Sequence, residues 1–197
     1  MKTIIAESIR SIAATLFFAV IVCGAYPLVV FGLGQIMFPH QANGSLLKDK
    51  TGAVRGSELL AQNFTGEKYF HPRPSVAGSN GYDPTSSGGS NLGPTSSNLV
   101  NNITANIAAY RADNNMTTNT PVPADAVTAS ASGLDPDISM ANAELQISRV
   151  AKQRGMTEDQ VRKMVEQNTE GHDLGIFGEP RVNVMTLNFT LDQLAQK

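Results

Sequence analysis

Two hydrophobic patterns divide the chain. Residues 11–39 read SIAATLFFAVIVCGAYPLVVFGLGQIMFP, with no charged side chain. As a helix this run spans about 40 Å at about 1.5 Å per residue, against about 30 Å of bilayer hydrocarbon. It predicts one transmembrane helix over residues 11–38, preceded by a short tail, residues 1–10. Pro27 removes a backbone donor in mid-span, which predicts a kink or a local adjustment of the helix. Ala19, Cys23 and Pro27, four residues apart, form a lean stripe suited to close packing against another membrane helix. The rival reading is a cleaved signal peptide, with Lys2 and Arg10 as its charges and Cys23-Gly24-Ala25 as its cleavage site. Against it, apolar sequence continues beyond that point through YPLVVFGLGQIMF.

The rest of the chain alternates short apolar pieces with polar ones. Residues 40–93 are crowded with Gly, Pro, Ser and Asn, which predicts short strands and ordered loops. A helix is expected to start near residues 94–97, where hydroxyls can cap it, to carry Leu99, Ile103 and Ile107 on one face, and to end at 113–115. Ala126-Val127-Thr128 is a weak strand candidate. Ser139 opens a second helix with Ala143, Ile147, Val150 and Ala151 inward, and Gly155 is its left-handed stop. Thr157 with Gln160 forms a capping box for a third helix, facing Val161, Met164 and Val165 inward. RVNVMTLNFTL, residues 181–191, alternates well enough to predict a strand or a bulged strand. The fold class expected is a single N-terminal transmembrane helix plus one compact mixed α/β (α+β) soluble domain, residues 39–197.

Composition narrows the function. Fifteen Lys and Arg against 17 Asp and Glu leave no basic stripe for nucleic acid. Cys23 is the only cysteine, so neither an internal disulfide nor a cysteine zinc site holds the fold. Lys2 and Arg10 on one side of the span nearly balance Lys48, Lys50 and Arg55 on the other, so charge alone leaves the orientation open.

Several motifs tempt a chemical reading. Asp49 lies in Asp-Lys-Thr-Gly, the tetrapeptide in which P-type ATPases carry their phosphorylated aspartate, and Thr65-Gly66-Glu67 matches the dephosphorylation motif of the same pumps. Phosphoryl transfer also needs Mg2+ held by further carboxylates, a lysine on the phosphate and a nucleotide pocket. None of these partners follows Asp49, and the two motifs occur in the reverse of the pump order, which makes residues 48–53 a polar turn. Ser86-Ser87-Gly88-Gly89-Ser90-Asn91 resembles an anion-cradling loop, but no Gly-Lys-Ser/Thr accompanies it. His40, His71 and His172 are isolated, so no metal site is expected. Asp135, Asp137 and Ser139 begin like a calcium loop, but Met140 stands where the turn glycine is required, and helix capping explains them. Tyr69-Phe70-His71-Pro72-Arg73-Pro74 is either a stiff loop stapled to the core or a contact surface.

Read together, QANGSL, GSELLAQNFTGEKYFHPRPS, YDPTSSGGSNLGPTS, VPADAVTASASGLDPDIS and RVAKQRG occur in the order seen in one family. The chain resembles the C subunit of the Kdp potassium-transporting ATPase over nearly its whole length. The resemblance implies a noncatalytic subunit in the bacterial inner membrane, N-terminus cytoplasmic and main domain outside. Its implied partners are a potassium-channel-like subunit that carries the ion and a P-type subunit that hydrolyses ATP. No cofactor is expected on the chain itself; ATP is implied for the complex. The family is described as a catalytic chaperone that raises the pump's affinity for ATP, with Ser87, Gly88, Gly89 and Ser90 as the nucleotide contact. A domain outside the membrane is separated from cytoplasmic ATP, so the preferred expectation is that it stabilises the complex and covers the ion entrance. Loops 69–74 and 86–94 would then make the contacts, with Tyr69, Phe70, Pro72, Arg73 and Asn91 as candidates. A stand-alone nucleotide-binding protein and a free envelope protein are the alternatives.

Overall fold

A computed structural model describes residues 2–194. The chain divides into two compact units between Ser45 and Leu46. In the first, α1 (Lys2–Ala19) runs into a π turn (Val20–Ala25), which runs into α2 (Tyr26–Met37). Residues Thr3–Met37 are long and apolar enough to cross a membrane, and their most apolar window is 0% buried, as suits a segment whose solvent is lipid. The π turn answers the expectation raised by Pro27. A proline ring collides with the carbonyl four residues back, here that of Cys23, and a wider turn just before it moves that carbonyl aside. The Tyr26 N–H bonds to Ile21 O, five residues back instead of four. A short helical turn, α3 (Pro39–Ala42), closes this unit.

The second unit opens with a hairpin, β1 (Leu46–Lys48) and β2 (Val54–Ser57), joined by the Asp49-Lys50-Thr51-Gly52 turn. A long run of ordered loop leads to α4 (Ser97–Asp113), which begins and ends where the pattern predicts. Its cap differs from expectation: the Ser96 side chain accepts no bond from the helix. Ala126-Val127-Thr128 is not a strand. Residues Ala124–Ala126 form a 3-10 turn that buries Val127, and the Asp125 carboxylate ties the turn to the chain ahead.

A three-stranded antiparallel sheet follows, in the order β3 (Asp137–Ser139), β5 (Arg181–Asn183), β4 (Thr169–Glu170), with Ile138 opposite Val182. Between β3 and β4 lie α5 (Met140–Arg154) and α6 (Glu158–Gln167). Their predicted punctuation is present: Ser139 accepts from Asn142 N–H, Gly155 sits at φ +65°, and Thr157 and Gln160 close a capping box. The strand expected over 181–191 stops at Asn183 and turns into α7 (Val184–Leu194). Val184, Leu187 and Leu191 satisfy a helical stripe, and they fit an alternating one only if a bulge falls between Val184 and Leu187. Burial of Asn188 beside Leu187 shows which period the fold uses.

The core packs Ile147 and Val150 of α5, Val161 and Val165 of α6, and Val184, Leu187 and Leu191 of α7 over Ile138 and Val182 of the sheet. One loop residue joins them: Phe70 is completely buried among these side chains.

Candidate functional site

The loop that brings Phe70 into the core has no ladder strand beside it, yet side-chain amides satisfy its main chain. Asn188 on α7 accepts from Phe70 N–H at 2.9 Å and donates to Phe70 O at 2.9 Å. Gln146 on α5 does the same for the next residue, at 2.7 Å from His71 N–H and 3.2 Å from His71 O. Arg149, one turn further along α5, donates Nη1 to Glu67 O at 2.6 Å and to Tyr69 O at 2.8 Å. Its Nη2 reaches Gln146 Oε1 and its Nε reaches Asn114 Oδ1, so one guanidinium fixes the loop, the clamp and the end of α4. Burial lowers its pKa, opposed first by the Asp113 carboxylate. The network continues through Asn142, whose side chain takes the Tyr110 hydroxyl and donates to Asp125. Asn142, Gln146, Arg149 and Asn188 were not singled out in the sequence. The signal available was the polar row 142–146–149 beside the apolar row 143–147–150.

The stapled-loop alternative for residues 69–74 therefore holds in this structure. Phe70, expected among contact residues, has no exposed surface and acts as the anchor. Tyr69 is half-buried: its ring packs on Phe64 and Arg154, and its hydroxyl donates to Asp192 at 3.0 Å. Pro72 and Arg73 are half-buried, Arg73 pairing with Asp135 at 2.9 Å. The Tyr82 hydroxyl donates to Arg73 O, and burial pushes that phenol up to about 12. Thr65-Gly66-Glu67 is the turn leading in; its Gly66 carbonyl accepts from Tyr69 N–H.

Loop 87–90 lies against residues 130–133. Gly88 N–H donates to Ser132 O at 2.8 Å, and the Ser87 hydroxyl donates to the same carbonyl at 3.0 Å. A Cβ on Gly89 would stand 2.9 Å from Ala131 O, and one on Gly133, at φ +67°, 2.8 Å from Gly88 O. These glycines allow two backbones to touch. Two of the donors that a phosphate would need are already held by Ser132, so this loop fits a phosphate poorly. Asn91, at φ +52°, is exposed at the loop's end.

Asp49 has both oxygens occupied. Oδ1 accepts from Thr51 Oγ1, Thr51 N–H and Ala53 N–H, and Oδ2 pairs with Arg55 at 2.7 Å. The Thr51 hydroxyl, then Arg55, holds its pKa down to about 2. This is an Asx turn closing a hairpin, with Gly52 at φ +83° completing it. A cavity of about 310 Å³ between the hairpin and α7 includes Asp49 and Asp192 in its lining, both already bonded. Asp135 and Asp137 are likewise committed to Arg73 and Arg181, and Ser139 caps α5. Among the described residues no group of three metal-ligating side chains forms. His172 bonds to Gly178 O at 2.6 Å.

His71 supplies a pH handle. Burial, then the nearby Arg149 charge, lowers its pKa from the usual 6.5, while its ring stays against Gly66 O. The unfolded chain thus binds this proton first, so stability present above pH 6.5 is lost as pH falls toward the lower folded value. Melting curves of the wild type and His71→Gln at about pH 7.5 and about pH 5.5 should show a smaller acid-induced fall in the variant. Parallel falls would remove His71 from the account.

A family model described as K+-transporting ATPase, c chain, matches residues 8–193. The chain belongs to the KdpC family. Relatives named Potassium-transporting ATPase KdpC subunit include one from Nitratidesulfovibrio vulgaris, 51% identical over 94% of this chain and 93% of that protein. One from Koribacter versatilis is 47% identical over 93% of each chain. One from Rhodospirillum rubrum is 54% identical over 86% of each chain. Relatedness thus runs through the apolar helix and the clamped domain alike, and places the chain among subunits of a potassium-transporting ATPase.

Proposed function

We propose that this KdpC-family chain is an accessory, noncatalytic subunit that holds an ATP-driven potassium-uptake complex together. Its helix sits in the inner membrane with the N-terminus cytoplasmic, and its domain lies outside. There it packs on a potassium-channel-like membrane subunit and covers the ion entrance, while a P-type subunit hydrolyses ATP. The observation that carries this reading is the clamp on residues 67–71. Three buried polar side chains, Gln146, Arg149 and Asn188, fix one loop, and a loop held that firmly offers neighbouring surface at little ordering cost.

The second reading, a catalytic chaperone whose Ser87, Gly88, Gly89 and Ser90 raise the pump's ATP affinity, has the family description behind it. The bonds of Ser87 and Gly88 to Ser132 count against direct contact with a nucleotide. Gly89→Val separates the two. Its side chain would collide with Ala131 O and lift loop 86–94. The expected result is reduced co-purification of the other subunits in mild detergent. Full assembly with only the ATP affinity lowered would establish the chaperone reading instead. Wild-type chain that purifies from native membranes without companions would leave the stand-alone alternatives.

A further inference from the structure

The connection between β4 and β5, residues 171–180, is exposed along its whole length, yet its tip reads Asp173-Leu174-Gly175-Ile176-Phe177-Gly178. Leu174 is 89% exposed, Ile176 77% and Phe177 62%. This tip is ordered by its own backbone. Asp173 and Phe177 exchange both main-chain bonds, N–H to O at 2.7 and 2.9 Å, and Gly175 N–H reaches His172 O at 3.0 Å. The turn holds Leu174 at φ +53°, a region where Gly or Asn is usual and a branched apolar side chain is strained. Three large apolar side chains are thus displayed to solvent on a closed, partly strained turn. Solubility and turn chemistry would each favour polar residues there.

Charge indicates the occupant. Glu170, Asp173 and Glu179 surround the tip against a single Arg181, whose guanidinium is shared among Asp137, Glu170 and Asp173. An acidic collar is repelled by an anionic lipid surface, where apolar anchors are usually flanked by Lys and Arg. We infer that the tip formed by Leu174, Ile176 and Phe177 is a docking plug for an apolar, basic-rimmed pocket on another protein subunit of the transport complex. The inference rests on the subunit reading above and adds a further contact to it. Because the turn is closed before binding, little freedom is lost on insertion.

The test expresses the full-length chain with the remaining subunits and purifies through a tag on one of them in mild detergent. Leu174→Asn/Ile176→Ser/Phe177→Ser is expected to lower recovery of the chain roughly tenfold or more. Its melting temperature alone in detergent should be unchanged or slightly raised, since Asn accepts the left-handed turn. Glu179→Lys should also lower recovery, by an amount that added salt reduces. The chain has no tryptophan, so the emission of Phe177→Trp after subtraction of the same preparation made with the wild-type chain reports this position alone. Its emission should shift to the blue in the assembled complex, and not when the chain alone is reconstituted into anionic-lipid vesicles. Undiminished recovery of the triple variant overturns the plug while leaving the subunit reading intact. A blue shift in vesicles alone assigns the tip to lipid and overturns it as well. Failure of the wild-type chain to recover with any companion defeats the subunit reading itself.

Discussion

Phe70→Ala is expected to destabilise the second unit by about 3–5 kcal/mol. Phe70 is the largest side chain among those completely buried, and it belongs to the core cluster that α5, α6, α7 and the sheet build. Its backbone is gripped on both sides by Asn188, so the loop cannot sink to close the cavity, which places the cost at the upper end of that range. Urea unfolding of the chain in detergent should show a lower midpoint with an unchanged slope. Phe70→Leu should recover most of the loss. A cost below about 1 kcal/mol would mean that the ring is not a core element.

Arg149→Met is the second large effect, expected at about 2–4 kcal/mol. The methionine fills part of the space but leaves the carbonyls of Glu67 and Tyr69 and the Asn114 Oδ1 without their donor, and takes one of two donors from Gln146 Oε1, which keeps His71 N–H. Arg149→Lys should rescue little, because a single ammonium cannot serve four acceptors spread around a planar fork. Hydrogen exchange gives a local readout: the amides of Phe70 and His71 should lose protection before those of α6 do. Equal loss in both places would show that Arg149 supports the whole unit and not the loop.

How much of this was legible depended on the distance over which each feature is encoded. The ends of α5 and α6 were readable because Ser139, Gly155, Thr157 and Gln160 each act within one turn. The chemistry of Asp49 was readable too, since its partners Thr51, Ala53 and Arg55 lie within six residues. Residues 181–191 misled because Val182 and Val184 alternate while Val184, Leu187 and Leu191 keep helical spacing, and the sheet claims only the first three residues. The clamp was hidden for another reason. Polar residues on a helix read as a solvent face until their partners are known, and the partners of Gln146 and Asn188 lie 75 and 118 residues away. The apolar tip escaped notice because short Leu, Ile and Phe clusters ordinarily signify core, and nothing local marks these as exposed.

The side-chain clamp also sets an order of events during synthesis. A hairpin such as β1–β2 can pair as soon as it leaves the ribosome, but Phe70 waits for Asn188, which is made 118 residues later. Until α7 emerges, the most buried aromatic ring of the unit has neither its pocket nor its backbone partners. The nascent chain therefore carries Phe70 without its pocket while the next 118 residues are made, and α7 is the helix that closes this core.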